Sequence, residues 1–291
     1  MWSPRPVLLA LAAALVVPLA AAGPAPAAAP VPTLVAIRAA HHDGFDRVVF
    51  EFVGGLPRVR AGYVDELIGD ASGLPVRIAG RAVLKLRFAP ADAHDADGPT
   101  VTGRRAFALP NVMTAVRAGD YEAVTTYGLG LARRSAFEVS TLRSPPRVVV
   151  DVDAAFPTQD RKVWFFHEER FLDNREPFFV PRLRPVRVHA PATGVMDRLF
   201  AGVLPRERAN GLRLLRSEAT TFDDLSIESG IARVRLVGGC DSGGSTVTIA
   251  GSIMPSLRQF ASVDWVKIYG PGGYTASPTG QTDSIPACLN P

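Results

Sequence analysis

The chain has 291 residues, with 32 Lys and Arg against 28 Asp and Glu, and a formal net charge of +4 at pH 7. This charge is small for the length and no run of like charges occurs, which argues against a nucleic-acid-binding arm but permits affinity for anionic wall polymers. The length suffices for two domains of ordinary size.

Residues 1–29 are predicted to be a secretory signal peptide. An apolar run from Val7 to Ala22 follows a basic residue and leads into small residues and prolines. The run contains Pro18 and is shorter than the roughly 20 residues that a membrane-spanning helix needs. We therefore expect cleavage after Ala22 or after one of Ala27 to Ala29, leaving an exported protein that is not integral to the membrane. The alternative is an uncleaved membrane anchor.

Residues 30–155 are predicted to form strands joined by turns. The expected strands are 46–53, 59–64, 75–79, 82–89, 121–131, 137–141 and 147–152, while 111–117 is either a strand or a turn of helix. Within 82–89, Leu84, Leu86 and Phe88 alternate with more polar positions, as in a strand with one buried face. Many short strands between turn residues favour an all-β sandwich or barrel.

Residues 156–291 alternate predicted strands and helices and are expected to form an α+β domain. Strands are predicted at 162–171, 178–188, 225–227, 231–237 and 263–269, and helical faces at 195–203, 205–211 and 247–261. Pro255 must kink the last helix or mark its true start. The segment 270–291 is rich in Gly, Pro, Ser and Thr and is expected to be irregular.

Cys240 and Cys288 make up the whole cysteine content. In an oxidising compartment an even pair usually forms a disulfide, here closing a loop that stabilises the fold by roughly 4 kcal/mol. Two buried free thiols are the alternative. A metal role is poorer, since the spacing is not that of a zinc site.

Five segments of the first half, taken in order, resemble the AMIN-like family of exported bacterial proteins. They are His42-Asp-Gly-Phe-Asp-Arg-Val-Val-Phe-Glu-Phe52, Tyr63-Val-Asp-Glu66, the strand entry from Gly80 to Leu86, the Gly128-Leu-Gly130 turn, and Pro145-Pro-Arg-Val-Val-Val-Asp151. The resemblance implies a β-sandwich that holds the protein to peptidoglycan or another cell-wall glycan.

The second half resembles the GerMN module, known from a spore-germination protein. The matching segments are Met196-Asp-Arg-Leu-Phe-Ala-Gly202, Glu207-Arg-Ala-Asn-Gly-Leu212, Gly230-Ile-Ala-Arg-Val-Arg-Leu236, and 253–259 followed by 263–269. The resemblance implies a small α+β unit without catalytic activity that engages another envelope protein or assembles. The cysteine-tethered tail departs from the pattern and puts ring building in doubt.

One enzyme-like pattern competes with this interpretation. Asp241-Ser242-Gly243-Gly244 resembles the nucleophile loop of chymotrypsin-like proteases, and Ala39-Ala40-His41 resembles their histidine segment. However, Cys240 replaces the oxyanion-loop glycine, and no barrel strands precede His41 to position it. We therefore expect a non-enzymatic protein without a cofactor, and a secreted serine hydrolase using Ser242 is the alternative.

The predicted binding residues are arginines and a tyrosine on two strands. Arg58, Arg60 and Tyr63 offer a polar face in the first half, and Arg182 and Arg184 lie where aromatics and arginines interleave in the second. Two polar clusters could hold a metal but are more typical of solvated turns, so no metal site is expected. These clusters are His41, His42, Asp43 and Asp46, and Asp92, His94, Asp95 and Asp97.

Overall fold

In a computed structural model of the protein, residues 1–2 and 30–291 are described, and Val31–Pro291 form one compact unit. The predicted signal peptide lies almost wholly outside the described residues. Within the described part of the chain, no helix is long and apolar enough to cross a membrane.

The first half of the chain folds into antiparallel strands. These are β1 Thr33–His42, β2 Phe45–Val53, β3 Arg58–Val64, β4 Ala82–Ala89, β5 His94–Asp95, β6 Gly98–Pro99, β7 Arg104–Ala106, β8 Val112–Tyr121, β9 Val124–Leu131, β10 Phe137–Arg143 and β11 Pro146–Asp153. One sheet has the order β1-β2-β11-β10, a second has the order β3-β4-β9-β8-β7, and β5 pairs with β6.

The two larger sheets pack their apolar faces together. Leu84, Leu86 and Phe88 of β4 are fully buried, as the alternation predicts, in one cluster with residues of β2, β9 and β11. Across the core, the ring centroid of Phe88 lies 5.0 Å from that of Phe50 and 5.5 Å from that of Phe52. Interlocking side chains from two facing sheets make a β-sandwich, so the β-rich architecture predicted for this half is confirmed.

Two strand predictions in this half are wrong, and one open case is settled. The predicted strand 121–131 is two strands, because Glu122 and Ala123 adopt positive φ and turn the chain between β8 and β9. Segment 75–79 is not a strand, and 111–117 belongs to strand β8.

Gly128 and Gly130 do not form the expected turn. Both lie within β9, and a Cβ on Gly130 would stand 2.0 Å from the carbonyl oxygen of Ala79. A Cβ on Gly128 would come within 2.7 Å of the Leu67 side chain. These glycines therefore let segment 65–80 pack closely against β9.

The second half alternates strands and helices. These are β12 Thr158–His167, α1 Glu168–Leu172, β13 Phe179–Arg187, α2 Pro191–Ala201, α3 Pro205–Ala209, β14 Leu212–Arg213, β15 Ala219–Glu228, β16 Ile231–Gly238, α4 Ala250–Arg258 and β17 Trp265–Tyr269, followed by a 3-10 turn at Ala287–Leu289. The sheets have the orders β13-β12-β14 and β15-β16-β17, and β17 runs parallel to β16.

Helices α2 and α4 supply the core of this half. Val195 and Leu199 of α2 and Ile253 and Leu257 of α4 are fully buried in one apolar cluster with residues of β12, β16 and β17. The helical face predicted on α2 is therefore confirmed. The face predicted over 247–261 is confirmed only in part, because Ala250 and Leu257 are buried in α4 whereas Val247 and Ala261 lie outside the helix. Pro255 lies inside α4 and not at its start. The end of the predicted strand 162–171 is helix α1.

The C-terminal tail is attached to the body by a covalent bond and by a buried amine. Cys240 and Cys288 form a disulfide with Cα atoms 5.6 Å apart, as expected. The fully buried Lys267 donates hydrogen bonds from Nζ to the carbonyl oxygens of Ser277 at 2.5 Å and Thr279 at 3.1 Å. These contacts hold the irregular segment after β17 against the second half.

A buried arginine joins the two halves. Arg198 of α2 is 1 % exposed and donates from Nη1 to the carbonyl oxygen of Phe107 at 3.2 Å and from Nη2 to that of Pro110 at 3.1 Å. Its Nη2 also donates to the carbonyl oxygen of Leu109. Burial lowers the pKa of Arg198 to about 9, and nearby Arg184 adds to this effect. The guanidinium thus satisfies three carbonyl groups of the loop between β7 and β8.

The same loop is held from its other side by Asp46 of β2. This fully buried carboxylate accepts hydrogen bonds from the amides of Asn111 at 2.6 Å and Val112 at 2.8 Å. A nearby ion pair between Arg81 and Asp197, 2.9 Å long, also crosses from the first half to α2. The carbonyl groups of this loop are therefore bound by α2 of the second half, and the amides at its end are bound by β2 of the first half.

The division into two domains near residue 155 stays a prediction. Separate apolar clusters lie on the two sides of this point, but Ala79 and Met113 of the first half pack within the cluster of the second.

We predict that Arg198→Met lowers the free energy of unfolding by about 3 kcal/mol or more, since buried carbonyl groups lose their donors. Chemical denaturation of the mature protein measures the change. Arg38→Met, at an exposed ion pair with Glu51, is the matched control and should change it by under about 1 kcal/mol. An equally small effect of Arg198→Met would contradict the structural role given to this side chain.

Candidate functional site

A cleft of about 710 Å³ opens at the junction of the two halves. The first half contributes β7 with its preceding turn and part of segment 65–80, and the second contributes the end of α2, α3 and the residues around β14. The lining residues are Arg77, Thr102, Arg104, Arg105, Ala106, Ala201, Gly202, Val203, Pro205, Arg208, Ala209, Arg213, Leu214, Arg216 and Thr220.

The cleft is lined by arginines and by no acidic residue. Arg77 lies 3.8 Å from Glu66, and Arg213 forms a 2.8 Å ion pair with Glu168. In the part of the chain that the structure describes, the other arginines of the lining have no carboxylate within ion-pair distance. These are Arg104, Arg105, Arg208 and Arg216. Among the described residues, these four guanidinium groups therefore form no ion pair.

Part of this charge is withdrawn from water. Burial lowers the pKa of Arg104 to about 10, with the nearby charge of Arg216 as the second cause. Burial also lowers the pKa of Arg216. The Nε atom of Arg105 is buried without a hydrogen-bond partner among the described residues. An anion bound in the cleft would relieve the repulsion between Arg104 and Arg216, and the guanidinium groups offer it hydrogen-bond donors in a fixed fork.

Of the three residues predicted to share a polar face on β3, two do so. Arg58 and Arg60 are exposed on the same side of the strand. Tyr63 lies on the other side, where its hydroxyl donates a 2.6 Å hydrogen bond to the carbonyl oxygen of Ser135 and its ring contacts Phe137. The shared face was wrong for Tyr63, since side chains alternate along a strand and 63 has the opposite parity.

The two arginines predicted to bind on β13 differ in their exposure. Arg182 is partly exposed, with its Nε 3.9 Å from Glu207. Arg184 is 2 % exposed; its Nη1 donates to Glu207 at 2.9 Å and its guanidinium lies over the ring of Phe165. Arg184 therefore anchors α3 to β13 and does not reach the surface, because Glu207 and the ring of Phe165 cover its guanidinium.

Ser242 lies in a glycine-rich turn next to the disulfide. Its hydroxyl donates a 3.0 Å hydrogen bond to the carbonyl oxygen of Asn290 and accepts one from the amide of Gly244 at 3.2 Å. His41, its proposed partner in the alternative interpretation, contacts Asp46 at 2.8 Å through Nδ1. Each of the two side chains thus has a local structural contact.

The two polar clusters have different outcomes. In the first, Asp46 is buried and holds the β7–β8 loop, while His42 and Asp43 are exposed. In the second, Asp92 and His94 approach Asp120 of β8, and the ligand atoms of the three residues lie within 4.8 Å of one another. Asp120 was not part of the prediction, because it reaches the loop only through the fold.

Asp120 and His94 form a 2.9 Å ion pair. The pKa of His94 is raised, first by its hydrogen bond to Asp120 and then by the charge of that carboxylate. Burial acts to raise the pKa of Asp120, but hydrogen bonds from Thr125, the Ala93 amide and His94 lower it overall. The His94 contribution to stability is lost as pH rises through its folded pKa, and that of Asp120 is lost as pH falls through its own.

The pair therefore stabilises the fold most between about pH 4 and 6.5. We predict that Asp120→Asn returns the pKa of His94 towards its ordinary value, because the neighbouring negative charge is removed. A pH titration of the histidine ring protons by NMR measures this shift, with exposed His42 as internal reference. An unchanged His94 titration would show that the ion pair does not form in solution.

Sequence reasoning missed the arginine cleft. Its arginines are spread from residue 77 to residue 216 and follow no short motif. The adjacent pair Arg104-Arg105, with no acidic residue nearby in the sequence, was the one local signal. Their convergence depends on how the β7–β8 loop meets α2, which the sequence pattern does not contain.

Residues 32–154 match the family model of the AMIN-like domain. No curated protein matches the chain. Among solved structures, the chain is similar to the tandem GerMN domains of the sporulation protein GerM from Bacillus subtilis, with 19% sequence identity and a TM-score of 0.30. That likeness covers 43% of this chain and 44% of the other, so the chain spans less than half of its length.

Proposed function

We propose, from the AMIN-like domain that residues 32–154 carry, that this is an exported, non-catalytic protein of the bacterial cell envelope. In this proposal the arginine cleft holds an anionic polymer of the wall, such as peptidoglycan or a glycan attached to it. The second half then engages another envelope protein. The observation that carries the proposal is the cleft itself, with arginines contributed by both halves and no carboxylate in its lining.

The charge of the cleft supports binding over catalysis. Guanidinium groups hold carboxylates and phosphates through paired hydrogen bonds, but they stay protonated and make poor general acids or bases. A lining of arginine, threonine and small apolar residues offers no group with a usual catalytic pKa.

The disulfide between Cys240 and Cys288 supports export. Such bonds persist in oxidising compartments outside the cytoplasm and are rare within it. Wall polymers occur in the same space and carry carboxylate or phosphate charges. Compartment, domain family and cleft charge therefore agree with one another.

We predict that Arg104→Ala/Arg216→Ala weakens co-sedimentation of the mature protein with purified cell wall by at least about tenfold in Kd, since two charge-assisted contacts are lost. Arg143→Ala/Arg175→Ala, which removes the same charge from exposed positions outside the cleft, is the matched control and should bind as wild type. Circular dichroism and the melting temperature verify that the cleft variant is folded.

Arg58→Ala/Arg60→Ala separates the cleft from the exposed face predicted from sequence. Loss of binding in this variant, with normal binding in the cleft variant, would move the attachment site to β3. Normal binding by all three variants would contradict attachment through either arginine site.

We predict that a fluorophosphonate probe does not label the mature protein, because the described hydrogen bonds of Ser242 are to main-chain atoms of Asn290 and Gly244. Mass spectrometry of the probe-treated protein measures labelling, with Ser242→Ala as the control. Labelling of wild type that is lost in Ser242→Ala would favour the secreted serine hydrolase.

A further inference from the structure

The lining of the arginine cleft contains no aromatic residue. Proteins that select neutral sugar rings commonly place them against aromatic faces, where the apolar side of the ring is desolvated. Here the polar groups are guanidinium forks and the hydroxyls of Thr102 and Thr220. The chemistry therefore favours the charged groups of a polymer over its sugar rings.

The arrangement of the charges favours phosphate over carboxylate. Arg104 and Arg216 come from opposite walls, and the charge of Arg216 is close enough to contribute to the lowered pKa of Arg104. A carboxylate holds its two oxygens and their lone pairs in one plane, whereas the two non-bridging oxygens of a phosphodiester lie on a tetrahedral phosphorus and accept from donors on facing walls.

The number of arginines favours a ligand with repeated charges. Arg104, Arg105, Arg208 and Arg216 lack carboxylate partners among the described residues, and one phosphodiester carries a single negative charge. A volume of about 710 Å³ accommodates more than one repeat of a sugar-phosphate or polyol-phosphate chain. Successive phosphodiesters can then neutralise the two walls together.

We propose that the cleft selects a phosphodiester polymer of the wall over the carboxylates of peptidoglycan. This inference rests on the proposed function, because it specifies the ligand of the same site. The polymer lies between the turn before β7 and the α3–β14 segment, with its phosphates held by arginines of both walls.

The mature protein is sedimented with purified wall before and after hydrofluoric acid has removed phosphodiester-linked polymers. We expect at least tenfold weaker binding to the treated wall. Equal binding to both preparations would overturn phosphate selectivity and leave the proposed attachment to wall in place. Absence of binding to either preparation would overturn both the inference and the proposed function.

Soluble competitors then define the ligand. Poly(glycerol phosphate) should displace the protein from untreated wall at a charge concentration at least tenfold below that of polyglutamate. Inorganic phosphate at equal phosphate concentration should compete more weakly, since it reaches fewer arginines. Equal potency of polyglutamate would overturn selectivity for phosphate, and equal potency of inorganic phosphate would overturn the polymeric ligand.

Arg104→Lys/Arg216→Lys keeps both charges but removes both forks, so it tests geometry separately from net charge. We expect it to lose at least tenfold in affinity for poly(glycerol phosphate) while its weak affinity for polyglutamate changes less than threefold. An equal loss for the two polymers, or no loss for either, would contradict recognition by the guanidinium groups. Circular dichroism and the melting temperature verify that the variant is folded.

Discussion

The buried guanidinium of Arg198 is the contact on which the relation of the two halves depends. The guanidinium donates hydrogen bonds to the carbonyl oxygens of Phe107, Leu109 and Pro110. The carboxylate of Asp46 accepts hydrogen bonds from the main-chain amides of Asn111 and Val112, which follow in the chain. A loop whose donors are tied to the sandwich and whose acceptors are tied to α2 cannot shift without leaving buried polar groups unpaired. Strand β7 leads into this loop and forms one wall of the cleft, whereas α3 follows α2 and forms the other. The same contacts therefore also position the two walls relative to each other.

The arginines that are withdrawn from water in this protein have two kinds of surroundings. Arg198 is surrounded by acceptors, and Arg184 is matched by Glu207. In the cleft, Arg104 and Arg216 are partly desolvated next to each other and have no carboxylate partner among the described residues. Each of these two guanidinium groups donates to one main-chain carbonyl oxygen, Arg104 to that of Arg77 and Arg216 to that of Phe200. In the proposed function, an anionic ligand supplies the negative charge that these contacts do not.

Local sequence pattern predicted much of the fold. The period-two run at Ala82–Ala89 and the helical spacing at Val195 and Leu199 were confirmed because burial on one face leaves a direct periodicity. The strand predicted at 75–79 was wrong, because this segment packs against Gly128 and Gly130 of β9. These glycines are distant in the chain, so the local pattern does not contain that contact. The site was harder to predict for the same reason. Exposed arginines such as Arg58 can be read from strand parity, whereas a cleft built from both halves requires their packing.

In the proposed function, one anionic ligand is held by residues of both halves at once. Hydrogen–deuterium exchange of the full mature chain, with and without saturating poly(glycerol phosphate), tests it most directly. Slower exchange of residues 102–106 and of residues 212–220 in the same experiment is the predicted result. Protection confined to one of these segments, or found only at β3, would contradict a site built across the junction.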